Sequence, residues 1–197
     1  MTVRFSVLPE ANPAWAADKK TIQDTGAKMI TAVHTALGRI NAAGFATDAQ
    51  FQRCFCAAAQ AGQANAVRTT VRTILSAMDN FLSNTSNTVT IKTKAVRAEA
   101  GDYAYVYPDL GRVGDVGQWF IYLGPQFNST PLPGSGVRDV RLLTLAHELS
   151  HHFGTNAVTP YKTEHYDGAG LALTTSNPPY AANNADNYGY FIEAVAP

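Results

Sequence analysis

Residues 144–155 read TLAHELSHHFGT, and the reading of this stretch governs the rest of the chain. His147 and His151 stand four apart, with Glu148 one step after the first. On a helix, positions four apart lie one above the other on the same face. Two imidazoles so placed can aim at one point about 2.0–2.1 Å away, the length of a zinc–nitrogen bond. Glu148 is one step round the helix, within reach of a water at that point but not a ligand itself. Leu145, Leu149 and Phe153 supply apolar packing on neighbouring turns, and Gly154 is a natural stop. The stretch therefore predicts a helix over about residues 137–153. His152 points about a hundred degrees away from His151 and is expected at the surface or behind a ligand.

Two imidazoles do not hold a catalytic zinc alone; a third protein ligand and an open position for water are needed. The spacing HExxHxxGxxH would put a third histidine at position 157, which is Ala157. A glutamate from a later helix is a second arrangement, and Glu193 is its candidate. Between them lies YKTEHYDG (161–168), which crowds Glu164, His165 and Asp167 beside Tyr161 and Tyr166. A loop just after the histidine helix, rich in ligand atoms and phenols, is the natural source of a third ligand and a hydrogen-bond donor.

The 197 residues are enough for one domain with a sizeable core. Lys+Arg and Asp+Glu are both 15, giving zero net charge, which argues against nucleic acid or an anionic membrane as the main partner. No apolar run approaches the roughly 18 residues of a membrane span. The start, MTVRFSVLPEANPAW, does not read as a signal peptide, because its apolar run is short and broken by Arg4, Glu10 and proline. Cys54 and Cys56, in RCFC, sit too close for an ordinary disulfide and have no second Cys or His pair nearby. They are expected to pack in the core.

Along the chain, residues 18–43 carry Ile22, Met29, Ile30, Val33, Leu37 and Ile40 at helical spacing. Thr47 is a candidate cap for a helix through DAQFQRCFCAAAQ. Val67, Val71, Ile74, Met78 and Phe81 repeat the helical period over QANAVRTTVRTILSAMDNFLSN. The character then changes: NTVTIKTKAV, DYAYVYP and QWFIYLGP read as strands. NSTPLPGSG (128–136) is loop, VTPYKTEHYDGAG is irregular, and NNADNYGYFIEAV (183–195) is a last helix. Helices first, then a small sheet, then a helix bearing the motif imply an α+β fold with a cleft between its parts.

The segments HELSH, TEHYDG and NADNYGYFIE together resemble the deuterolysin and peptidyl-lysine metalloendopeptidase family, the aspzincins. That family's pattern is HExxH, then a G-T-x-D-x-x-Y-G loop, then a helix carrying N-A-D-N-Y. Upstream, FQRCFCAAAQAGQANAVRTTVRTI and WFIYLGPQFNSTPLPGSGVRDV resemble the same family, so the likeness covers roughly residues 20–195. It implies a zincin-like domain over residues 1–197, helical over about 18–83, with sheet and catalytic parts over about 87–197. The departure lies at the third ligand. Anchoring the loop on Thr163 puts His165 where the family has its zinc aspartate, whereas requiring an aspartate selects Asp167. The family's donor tyrosine corresponds most nearly to Tyr166. Asp186, in NADNY, either accepts a hydrogen bond from a ligating imidazole or caps its helix.

The resulting expectation is a zinc-dependent endopeptidase. One Zn²⁺ is held by His147, His151 and either Asp167 or His165, Glu148 acts as general base, and Tyr166 is the donor to the oxyanion. Its substrate would be a protein or peptide, its partners neither nucleic acid nor membrane, its state monomeric and its location secreted or exported. Lysine specificity would require an acidic pocket, for which Asp109, Asp115 and Asp139 are candidates. The alternative is a zincin fold kept as a binding module, or a toxin-like effector with peptidase chemistry.

Overall fold

The computed structural model describes residues 4–8, 19–92, 104–106, 118–124, 127–128, 136–155 and 169–197. Strand β1 (Arg4–Leu8) leads into helix α1 (Lys19–Asn41), a 3₁₀ turn (Phe45–Thr47), helix α2 (Ala49–Cys54), a second 3₁₀ segment (Ala58–Gln63) and helix α3 (Ala64–Ser83). Strands β2 (Thr88–Lys92), β3 (Ala104–Tyr105) and β4 (Gln118–Leu123) follow. Helices α4 (Val140–His151), α5 (Ala169–Ser176), α6 (Pro178–Ala181) and α7 (Ala185–Val195) complete the described chain.

The sheet has the order β1-β2-β4-β3, with β1, β2 and β4 parallel and β3 antiparallel to β4. Phe5, Val89 and Trp119 pair across three strands and so share one face. That face receives the helices. A Cβ on Gly26 of α1 would lie 2.6 Å from the Phe5 ring, so only glycine lets α1 settle on β1. Trp119 meets Phe81 of α3 at 4.7 Å and stacks on Phe153, also at 4.7 Å. The result is an α+β architecture whose N-terminal helices form the crossover between two parallel strands.

Strand β1 was not among the expected elements, which begin with the helix near residue 18. RFSVL is only five residues long and is followed at once by Pro9, so its alternation is too brief to register as a strand. Helices α5 and α6 fall where no element was expected. Helix α6 starts on Pro178 and Pro179, a pair suited to a first helical turn but equally to a loop. The cap of α2 is Asp48 rather than Thr47. The Asp48 carboxylate accepts from the Gln50 and Phe51 amides at 2.9 and 3.0 Å, while the Thr47 hydroxyl turns back to the Gly44 carbonyl.

Helix α4 is the central element. From Leu142 to Ser150 every residue is buried, which suits a helix with apolar residues nearly all round. Its partner α7 runs antiparallel to it, and three contacts fix their register. At one end Glu193 Oε1 accepts from the Arg138 and Asp139 amides at 2.9 and 3.1 Å. In the middle, a Cβ on Gly189 would stand 3.0 Å from the Leu143 carbonyl oxygen, so the two backbones cross closely. At the other end Asp186 faces His147. Cys54 and Cys56 are buried and free, as core residues beside Phe51 and Phe55. Burial pushes the Cys54 thiol up to about 12 and the Cys56 thiol up as well.

Candidate metal centre

Three side chains of α4 converge. The ligand atoms of His147, Glu148 and His151 all lie within 4.8 Å of one another, a group that could hold a metal ion. The two imidazole Nε2 atoms are 3.0 Å apart, with the rings at 81°. Glu148 Oε1 is 3.9 Å from His147 Nε2, and both side chains are buried.

The other nitrogen of each ring is already committed. His147 Nδ1 lies 2.7 Å from Asp186 Oδ1, and His151 Nδ1 lies 3.2 Å from the Thr155 carbonyl oxygen. A carboxylate and a carbonyl are both acceptors, so each Nδ1 carries the hydrogen. In neutral rings each Nε2 then presents a bare lone pair, and the two lone pairs face each other across 3.0 Å. Such a pair requires a shared positive centre, either a proton or a metal ion. Burial, with His147 beside it, pushes the His151 imidazole down to about 3, so this ring is neutral and ready to ligate at ordinary pH. Two nitrogens at this separation can each lie about 2.0–2.1 Å from one zinc ion. The residues fit the metal.

The positions of the two helices follow from local sequence. Asp139 caps α4 by accepting from the Leu142 amide at 3.3 Å. At the far end Gly154 has φ of +103°, a left-handed conformation that turns the chain back so that Thr155 reaches His151. Ser150 and Thr155 close this turn with hydroxyls 2.9 Å apart. In α7, Asn184 stands at the N-cap position and Asp186 in the first turn, its carboxylate directed at His147. Its neighbours are also occupied: Asn187 donates to the Cys54 carbonyl at 2.5 Å and the Tyr188 hydroxyl to the Ala182 carbonyl at 2.7 Å. Burial raises the Tyr188 phenol well above its usual range. Each of these three NADNY side chains therefore has an interior partner.

Several expected placements change. Of the two placements expected for His152, the surface is excluded: it is buried edge-on against Trp119, with ring centres 4.3 Å apart. Glu193 cannot serve as a ligand, because it is bound to backbone amides at the opposite end of α4. Asp139 is a helix cap with Lys28 and Arg141 nearby, at 3.6 and 3.9 Å. His165, Tyr166, Asp167, Asp109 and Asp115 lie outside the described residues. The hydroxyl pair Ser150–Thr155 and the Glu193 tie were not singled out in the sequence. Gly154, as a helix stop, was the one signal pointing toward the former.

Comparison with known proteins now bears on this geometry. The model of the aspzincin family, described as lysine-specific metallo-endopeptidase, matches residues 41–193. The chain belongs to the aspzincin family. Aspzincin metallopeptidases bind zinc, and the His147–Glu148–His151 group could hold a metal ion among the described residues. The chain is 37% identical over 92 residues to an extracellular protease of Aeromonas hydrophila, covering 46% of this chain and 23% of that protein. Over 94 residues it is 37% identical to a peptidyl-Lys metalloendopeptidase of Grifola frondosa, 48% of this chain and 24% of that protein. A peptidyl-Lys metalloendopeptidase of Armillaria mellea is 39% identical over 95 residues, again 48% and 24%. The chain spans about a quarter of the length of these curated relatives. Its fold is similar to that of a solved zinc peptidase from Grifola frondosa, with a TM-score of 0.52 and 22% identity. That likeness covers 86% of this chain and 94% of the other. No helix among the described residues is long and apolar enough to cross a membrane.

Proposed function

We propose that this aspzincin is a zinc-dependent endopeptidase in which His147 and His151 hold the metal and Glu148 is the general base. The observation that carries the reading is the pair of imidazoles facing each other at 3.0 Å with both Nδ1 atoms already engaged, beside a buried carboxylate. Zinc bound there would supply a Lewis acid that acidifies a water and polarises the scissile carbonyl.

The protein's own groups do the rest. Asp186 and the Thr155 carbonyl fix the two rings in the tautomer that leaves Nε2 free for the metal. Glu148, held in a water-poor setting, takes the proton of the attacking water and passes it to the departing amine. The third ligand comes from Asp167 or His165, and Tyr166 donates to the oxygen that gains charge as water adds. Residues 1–197 act as one zincin-like domain and as a monomer; the pairing of β1 with β2 across the N-terminal helices supports the first of these. The relative named an extracellular protease supports export, and protein or peptide chains are the substrate class. The relatives named peptidyl-Lys metalloendopeptidases make bonds next to lysine the first to examine.

Hydrolysis of a mixed protein digest, with cleavage sites mapped by mass spectrometry, tests the proposal. Glu148→Gln should lower the rate by about 10²–10⁴-fold while leaving the protein folded, and a chelator should stop the wild type. Hydrolysis that survives both changes would reject this mechanism. New termini without enrichment at lysine would reject lysine selectivity alone.

A further inference from the structure

The turn that ends α4 contains two buried hydroxyls with no place in the chemistry described above. Ser150 is fully buried and Thr155 nearly so. Ser150 Oγ lies 2.7 Å from the His147 carbonyl oxygen and 2.9 Å from Thr155 Oγ1. A hydroxyl has one hydrogen. Because the carbonyl can only accept, Ser150 spends its hydrogen there, and Thr155 must donate to Ser150. The chain of bonds thus runs in one direction, from the Thr155 hydroxyl to Ser150 and on to the backbone of the first histidine. The Thr155 amide also donates to the Ser150 carbonyl, at 3.4 Å. These bonds tie Thr155 to the last turn of α4, and its own carbonyl then accepts from His151 Nδ1 at 3.2 Å.

We propose that Ser150 and Thr155 are positioning residues of the metal centre: their hydroxyl pair holds the Thr155 carbonyl against His151 and so sets that ring's tautomer and aim. The inference rests on the reading of His147 and His151 as metal ligands. The geometry supports it in two ways. The backbone at Gly154 is left-handed, so the turn is not a continuation of the helix and needs its own fastening. The partner offered to His151 is a main-chain carbonyl, which can be steered only by securing the chain on either side of it.

The test uses the full chain and measures zinc affinity by competition with a chromophoric chelator, independently of hydrolysis. Thr155→Val keeps the shape and removes the hydroxyl; Thr155→Ser keeps the hydroxyl and removes the methyl. Loss of a group that orients a ligand costs about 10–100-fold in metal affinity, so Thr155→Val should weaken zinc binding by that factor. Thr155→Ser should stay within about threefold of wild type on the same scale. The visible spectrum of the cobalt-loaded protein should change in Thr155→Val and be restored in Thr155→Ser. If Thr155→Val does not fold without metal, the rise of its melting temperature with zinc concentration yields the same affinity by linkage. Wild-type affinity in Thr155→Val overturns the proposal, as does an equal loss in both variants, which would assign the effect to the methyl group. A wild type that takes up no zinc overturns the metal-site reading as well. Tight wild-type binding with unaltered variants overturns this inference alone.

Discussion

Replacing Asp186 tests whether α7 contributes to the metal centre, although it holds none of the HExxH residues. Its Oδ1 stands 2.7 Å from His147 Nδ1, and both side chains are buried. The contact keeps the hydrogen on Nδ1 and raises the basicity of Nε2. Partners of this kind are worth about 10–100-fold in metal affinity, or about 1.4–2.7 kcal/mol. Asp186→Asn keeps an acceptor oxygen but loses the charge, so about a tenfold loss of zinc affinity is expected. Asp186→Ala leaves the ring without its partner and belongs at the hundredfold end. Chelator competition at near-neutral pH measures both, with the denaturation midpoint of the metal-free protein recorded alongside. Zinc binding in both variants that matches wild type would show that the ring is aimed by packing alone, with no contribution from Asp186.

Other consequences follow from the same structure. Glu193→Ala removes the acceptor for two backbone amides at the start of α4 and should cost about 1–3 kcal/mol in chemical denaturation; Glu193→Gln, which still offers an oxygen, should cost less. No loss in Glu193→Ala would show that water satisfies those amides. Cys54 makes a prediction about alkaline pH. Its thiol is held up at about 12 in the folded chain against 9.0 when exposed, so above pH 9 the unfolded chain loses a proton that the folded chain keeps. Stability is therefore fully present below pH 9 and falls as pH rises toward 12, by up to about 1.4 kcal/mol per pH unit from this group. Denaturation of Cys54→Ala should lack that part of the slope; parallel curves for variant and wild type would contradict the assignment.

Helix α4 was legible because two constraints coincide there. HELSH sets ligand chemistry at a spacing of four, and apolar residues on the remaining positions require a buried helix. Helices α1 and α3 were legible from their stripes, of which Ile22, Met29, Val33 and Ile40, and Val67, Val71, Ile74 and Met78, are buried as their spacing implies. Strand β1 escaped notice because five residues at a sheet edge carry too little alternation, and its pairing with β2 is a contact across some eighty intervening positions. Glu193 looked like a possible ligand because a carboxylate on a later helix does not reveal which way that helix runs. The antiparallel crossing puts it beside Asp139, eight residues and about 12 Å along α4 from His147. The Thr155 carbonyl has no signature at all, since any residue would supply one; only the Gly154 turn shows where it points.

The most direct measurement is the zinc content of the purified chain, determined by mass spectrometry of its metals after dialysis. One zinc per chain is expected for the wild type, and less than about a tenth of that for the His147→Ala, His151→Ala double variant, provided the latter remains folded. Zinc retained at full stoichiometry by the double variant, or absent from a folded wild type supplied with it, would contradict the account at its base.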